Sequence, residues 1–281
     1  MQNPPVVLTI AGSDNSAGAG AQADLKTMSA LGVYGVTAIT CVVAEVPGKV
    51  SAIQPMTPEI VSEQIRLLFR AFPIAALKTG MLYSREIIGA VCDVLEEEFA
   101  RSEVRPFLVV DPVMVATSGD PLLLPEAIAL YRERLFPLAG LITPNMDEVR
   151  TLTGREITTL AELRAAGEEL VAKFGTAFLL KGGHLRGTTA TDILIGPSVD
   201  REFSAPFIEG VSTHGTGCTY AAAIASGVSH GLSLIQAVAQ AKEFVTQAIR
   251  EYLAWQGPDG VTHALHHFAG GVQRPRLPSG L

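Results

Sequence analysis

The sequence predicts an α/β fold: a central, mostly parallel sheet flanked by helices on both faces, with a β-hairpin at one edge. Three observations predict it. Short apolar runs rich in β-branched residues alternate with amphipathic segments of helical period; the ends of those runs carry polar residues; and from Ala190 to Gly210 two strand-like runs sit close together, breaking the alternation.

"PVVLTIAG", beginning at Pro5, reads as the first strand, and the amphipathic stretch around Leu25, Met28 and Leu31, closed by Gly32, reads as the first helix. "GVTAITCVVA" follows as the next strand. "AALKTGML", "FLVVDPVM", "GLITPN" and "FLLKGGH" are further strands, with helices such as "SREIIGAVCDVLEEEFA" and "LAELRAAGEELVAKFG" between runs of this kind. "ATDILIGP" and "EFSAPFIEG" form the edge hairpin, turning around Pro197 and Asp200. Two helices close the pattern, one starting near Thr216 and one running from about Ser233 to Trp255, before a Gly/Pro-rich tail that includes "GGVQRPRLPSGL". No internal repeat, long linker or low-complexity block interrupts the chain, so residues 1–268 read as one domain and 269–281 as an irregular tail.

With 281 residues, 48% of them apolar, the chain can bury a substantial core. Its formal charge of −7 is spread without long blocks of one sign, which argues against nucleic-acid or anionic-membrane partners, since those need clustered Lys and Arg. Cys41, Cys92 and Cys218 are too few and too widely spaced for a disulfide framework or a zinc motif. The N-terminus lacks the pattern of a signal peptide and no apolar run is long enough to span a bilayer, so the expectation is a cytoplasmic protein acting on a small molecule.

In open parallel sheets ligands bind at the carboxyl ends of the strands, and here those ends hold Asp14, Glu45, Lys78, Asp111, Asn145 with Glu148, and Lys181. Taken singly, Asp14 and Asn145 would be helix caps or turn formers. Gly18 to Ala23 matches a G-x-G-x-x-A dinucleotide fingerprint, with Glu45 placed as a ribose acid, but "SDNSA" separates it from the first strand, which counts against a nicotinamide-dependent oxidoreductase. No P-loop motif is present, so a nucleotide would need another phosphate cradle.

Gly215, Thr216, Gly217 and Cys218 offer one, because they follow an extended run and open a helix whose first amides would face an anion. The competing reading is a tight turn before a buried helix. The row Ala221, Ala222, Ala223 and Ala225 then lets that helix pack closely while keeping high helix propensity. Cys218 in the first turn would have its pKa lowered by the helix dipole and serve as a base or an orienting group for an alcohol; otherwise it is a small buried hydrophobe. His214 stands too close in sequence to act as the base of a cysteine nucleophile. Asp111 and the Asn145-x-x-Glu148 pair supply hard oxygen ligands suited to Mg²⁺, and Lys181 adds positive charge near a transferred group. His263, His266 and His267 resemble a small metal cluster, yet the composition around them favours solvent or packing roles.

The motifs "TIAGSDNSAGAGAQADLKTMSALGVYG", "KTGML", "DPVMVATSG", "TPNMDE", "KGGH" and "HGTGCT", in this order, resemble the ribokinase-like kinases, and within them the hydroxymethylpyrimidine/phosphomethylpyrimidine kinases of thiamine biosynthesis. The resemblance covers most of the chain. It implies a ribokinase-like fold without a large lid, use of ATP and Mg²⁺, and a homodimer. It also implies that Gly215, Thr216, Gly217 and Cys218 form an anion hole with Cys218 as base, that Lys181 stabilises phosphate charge, and that Asn145 and Gly217 serve the nucleotide. Asp111 and Glu148 would hold the metal or its waters, and Gly12, Asp24 and Met81 would line the pyrimidine pocket. One departure stands out: "AEVP" replaces the family's usual "AQNT", so Glu45 occupies the place of the glutamine that would read the aminopyrimidine edge of the substrate and, if ionised, only accepts hydrogen bonds. Pyridoxal kinases of the same cysteine-bearing branch are the nearest alternative.

Overall fold

The computed structural model describes residues 3–114, 125–183, 188–211, 214–258 and 260–269. The later part of "DPVMVATSG", His184 of "KGGH", Ser212, Thr213 and the tail from residue 270 onward lie outside the described residues.

Strand β1 (Val6–Asp14) is buried along almost its whole length because apolar residues occupy both of its faces. It pairs in parallel with β2 (Tyr34–Val46) on one side and β4 (Ile74–Thr79) on the other. The parallel run continues through β5 (Phe107–Val110), β6 (Leu141–Ile142) and β7 (Ala177–Lys181). The strands β8 (Thr189–Gly196) and β9 (Val199–Pro206) form the expected antiparallel edge hairpin.

The opposite edge is a correction to the sequence reading. β3 (Lys49–Pro55) turns back antiparallel on the long β2, so the nine strands run in the order β3-β2-β1-β4-β5-β6-β7-β8-β9 with hairpins at both edges. Pro47 and Gly48 make the tight turn.

Strand alternation splits the core between the two faces of the sheet. Leu8, Ile10, Leu77, Leu108, Val110, Phe178 and Leu180 pack in one cluster with α2 (Pro58–Ala71), α3 (Arg85–Arg101), α4 (Pro125–Leu130), α5 (Met146–Thr153) and α6 (Leu160–Phe174). Val7, Ala76, Val109 and Leu179 pack on the other face with α1 (Gly20–Ala30), α7 (Thr216–Ser229) and α8 (Leu234–Arg250). The alanines of α7 are fully buried between the sheet and α8, and a Cβ at Gly227 would lie 3.0 Å from the Cβ of Ala237. Larger side chains at these positions would hold the two helices apart. Among the described residues no helix is long and apolar enough to cross a membrane.

A second correction concerns the C-terminal region. The helix expected to reach Trp255 stops at Arg250, and β10 (Leu253–Gly257) pairs antiparallel with β11 (Gly260–Ala264). Here the aromatic and β-branched residues favour strand, and Trp255, 55% exposed, does not anchor a helix face to the core.

The three histidines of this region have separate surroundings. His263 packs beside Tyr252 with ring centroids 4.9 Å apart and the rings tilted by 57°, and the ring of His266 lies 3.9 Å from Glu251. His267 is 3% exposed and shares a 3.0 Å hydrogen bond with the Thr219 hydroxyl, tying the end of the described chain to α7. Burial, reinforced by the charge of Lys26, pushes His267 down to about 4. Because the folded state resists protonating this imidazole while the unfolded chain does not, its contribution is complete above pH 6.5 and is lost as pH falls through about 4. The loss is expected to be on the order of 3 kcal/mol. Urea unfolding of the wild type and His267→Gln between pH 7.5 and 4 checks this: the variant should show a shallower acid loss, and parallel profiles would refute it.

Candidate active site at the carboxyl ends of the strands

Where β1 ends, the chain folds onto the carboxylate of Asp14. Its Oδ1 accepts from the Ser16 amide and its Oδ2 from the Ala19 amide, both at 2.7 Å, so the residue does act as a turn former. Its second role was not legible locally: His214 Nε2, 200 positions away, lies 3.3 Å from Oδ2. Burial alone would raise Asp14, but His214, Ser16 and Ala19 outweigh it and bring it down to about 2. The same contact raises His214.

Helix α7 starts behind His214 with Gly215 as N-cap and no side-chain cap. By contrast α2, α3, α5, α6 and α8 each begin with a Thr, Ser or Asn side chain accepting from the first turn. The start of α7 is therefore an electropositive end not neutralised by a capping side chain, as the cradle reading requires. The Thr216 hydroxyl oxygen nearby is buried and has no hydrogen-bond partner among the described residues.

Across from this tip, Lys181 at the end of β7 donates to Asp111 Oδ1 at 2.9 Å, and Thr143 Oγ1 donates to the same oxygen at 3.2 Å. A Cβ at Gly217 would sit 3.2 Å from Lys181 Nζ and 3.4 Å from Asp111 Oδ2, so the glycine lets the helix tip come close to this ion pair. Desolvation works against the Lys181 charge, but Asp111 and Glu148 keep its pKa above the usual value, and it remains a cation.

Asn145 and Glu148 form a reciprocal capping box at the start of α5: Asn145 Oδ1 accepts from the Glu148 amide at 3.0 Å, and Glu148 Oε2 accepts from the Asn145 amide at 2.8 Å. Glu148 Oε1 accepts from the Met114 amide at 3.1 Å. Burial and the nearby Asp111 push Glu148 up to about 7 despite Lys181.

Cys218 departs from the sequence expectation. Its thiol is not lowered by the helix terminus; burial, with Asp24 and Asp111, pushes it up to about 11 although Lys78 and the Gly20 amide pull the other way. Near neutral pH it is a thiol.

Of the residues expected in a substrate pocket, Gly12 and Met81 come together over Cys41. A Cβ at Gly12 would lie 2.8 Å from Cys41 Sγ and 3.9 Å from Met81 Cβ, and the Met81 carbonyl accepts from Thr40 Oγ1 at 2.6 Å. Glu45 is half-buried near the end of β2. Asp24 is elsewhere: it has no solvent exposure, its carboxylate is held by Lys78 at 2.8 and 3.0 Å and by Thr9 at 2.6 Å, and it supports the site from behind. Lys78, an isolated charge in an apolar strand, was the sequence signal for that buried pair.

The comparisons agree with this geometry. The sequence profile of the family described as phosphomethylpyrimidine kinase matches residues 14–263. A hydroxymethylpyrimidine/phosphomethylpyrimidine kinase of Rhizobium meliloti (strain 1021) is 45% identical over 87% of this chain and 90% of its own length. The crystal structure of phosphomethylpyrimidine kinase from Clostridium difficile 630 superposes with a TM-score of 0.76 at 39% identity, covering 87% of this chain and 99% of that one. Staphylococcus aureus pyridoxal kinase, in complex with AMP-PCP and pyridoxal, superposes with a TM-score of 0.83 at 32% identity over 95% of each chain. The helix tip, the Lys181–Asp111 pair and these matches lead to one conclusion: the chain is a ribokinase-like kinase and belongs to the phosphomethylpyrimidine kinase family.

Proposed function

We propose that this kinase transfers the γ-phosphoryl group of ATP to the hydroxymethyl group of 4-amino-5-hydroxymethyl-2-methylpyrimidine, and then phosphorylates the resulting monophosphate. The observation that carries this reading is the close approach of the start of α7, which has no capping side chain, at Gly217 to Lys181 on Asp111. The Rhizobium relative's name, which joins the two activities, and the AMP-PCP complex of the pyridoxal kinase support the substrate and the nucleotide.

Two neighbouring carboxyl groups, one of them raised to about 7, fit a divalent cation, whose charge would relieve their repulsion. Asp111 and Glu148 would hold Mg²⁺ directly or through its waters, and the bound ion would supply charge neutralisation between the phosphates. Lys181 stays charged to pair with the transferred group, Gly217 lets the backbone approach it, and Asn145 presents the capped start of α5 to the nucleotide. Gly12, Met81 and Glu45 line the alcohol's ring, with Asp24 fixing the floor behind them. The Tyr34, Val42, Val46 and Val50 side chains exposed on β2 and β3 support a homodimer, and the free cysteines support a reducing cytoplasm.

In the reaction the hydroxymethyl oxygen forms a bond to the γ-phosphorus as the bond to the ADP oxygen breaks. A loose transition state leaves the alcohol proton in place until late, so no strong base is needed. Cys218 orients the hydroxyl as a neutral thiol, and the proton passes to a phosphoryl oxygen. Accordingly, Cys218→Ala is expected to lower kcat by roughly 10²-fold with KM for ATP nearly unchanged, Cys218→Ser should recover part of the loss, and kcat should be flat from pH 7 to 9. A kcat rising tenfold per pH unit would instead make the thiolate the base. One observation favours a second reading, pyridoxal as the alcohol: the high structural similarity to pyridoxal kinase. ADP release measured with hydroxymethylpyrimidine, its monophosphate and pyridoxal decides between them.

A further inference from the structure

We propose that Asp14, Glu45 and His214 form a second divalent-cation site, distinct from Asp111 and Glu148, that takes a borderline transition ion such as Zn²⁺ in preference to Mg²⁺. One ligand atom from each of the three lies within 4.8 Å of the other two. An ion about 2.0–2.2 Å from each donor needs donors roughly 3–4 Å apart, so a rotamer adjustment of the half-exposed Glu45 closes the site.

The three side chains arrive from separate parts of the fold, and the Asp14 carboxylate and the Glu45 backbone are held from outside the cluster. The Ser16 and Ala19 amides fix the Asp14 carboxylate, supplying the outer shell that orients a metal ligand. Glu45 follows an irregularity in the β2–β3 ladder between Ala44 and Glu45, and its own amide is pinned by Asn15 Oδ1 at 2.6 Å. Its carboxylate has no hydrogen bond among the described residues, while burial and Asp14 raise it. His214 Nε2 is already 3.3 Å from Asp14. Two carboxylates thus crowd one imidazole, a set with net charge of −2 when the ring is neutral.

Ligand chemistry decides which ion fits. Imidazole nitrogen with carboxylate oxygen suits Zn²⁺, Co²⁺ or Mn²⁺, whereas Mg²⁺ favours oxygen alone. Because His214 directly precedes Gly215, an ion here would stand beside the start of α7 and draw Glu45 away from the alcohol's ring. That consequence rests on the proposed function, whereas the site itself does not, and the binding experiment separates the two.

Tag-free protein without nucleotide is titrated with Zn²⁺ by calorimetry and with Co²⁺ by visible absorption, in the presence of millimolar Mg²⁺. Expected are one saturable site per chain, at least about tenfold weaker binding in both Glu45→Gln and His214→Asn, and Co²⁺ spectra without sulfur charge-transfer bands. Circular dichroism verifies that the variants are folded, and Cys218→Ala should bind as the wild type does. Absence of saturable binding, full affinity in folded Glu45→Gln, or loss of the site in Cys218→Ala would each overturn the proposal.

Discussion

Gly215→Ala is expected to reduce kcat by at least about 10²-fold and to destabilise the fold by roughly 2 kcal/mol or more. Gly215 has φ of +82°, a left-handed conformation that costs alanine about 1–2 kcal/mol by itself. The larger effect is steric: the added Cβ would overlap the Gly18 carbonyl oxygen, lie 2.7 Å from the Gly18 carbonyl carbon and lie 3.2 Å from the Ala19 Cα. All three are backbone atoms, so no side chain can swing away. Either the 14–19 loop or the start of α7 must move, and a shift of about 1 Å at the phosphoryl site is enough for the predicted rate loss. Gly231→Ala is the control. It has φ of +84° with nothing within 4 Å of its new Cβ, so it should carry only the conformational cost and leave kcat intact. Thermal unfolding and ADP-release kinetics on both variants make the comparison; equal rate losses would show that the Gly18 contact is unimportant.

The second large effect is expected at the Lys78–Asp24 pair. Both side chains are 0% exposed and their charges meet at 2.8 Å. Asp24 is raised by burial against the pull of Lys78, while Lys78 is held charged by Asp24 against burial. Removing one partner leaves the other ion desolvated without compensation, so Lys78→Met should destabilise the protein by about 3–5 kcal/mol. Combining it with Asp24→Leu should restore much of that loss, because two apolar side chains no longer need to be paired. Urea unfolding of the two single variants and the double variant tests this. Additive losses would mean that the pair is not coupled. Lys78 is also the nearby cation that pulls the Cys218 thiol downward, so the Lys78→Met variant should push Cys218 still higher, measurable by the pH dependence of alkylation.

Much of the site was legible along the chain. Asn145 and Glu148 carry the N-x-x-E spacing of a capping box, and the structure closes that box. Lys181 and Asp111 end apolar strands and meet where parallel topology brings such ends together. Gly215 to Cys218 does open an α-helix without a capping side chain. Other features were not legible because no local pattern encodes them. Asp24, which the resemblance placed in the pyrimidine pocket, instead faces Lys78 across 54 positions of sequence. β3 and β10 were missed because short strands depend on the partner that pairs with them, and that partner is set by the tertiary fold.

Neighbouring residues along the chain encode the alternation of strands and helices, the capping signals and the residue types at the strand ends, because period, hydrogen-bonding capacity and charge are local properties. Which of those residues meet, and what ionisation each one adopts, follows from the folded arrangement. His214 reaches Asp14 across 200 positions, and Cys218 is a thiol at about 11 although a helix terminus favours the thiolate. Desolvation and through-space charge depend on everything packed around an atom, and that packing is set by chain segments far away in sequence.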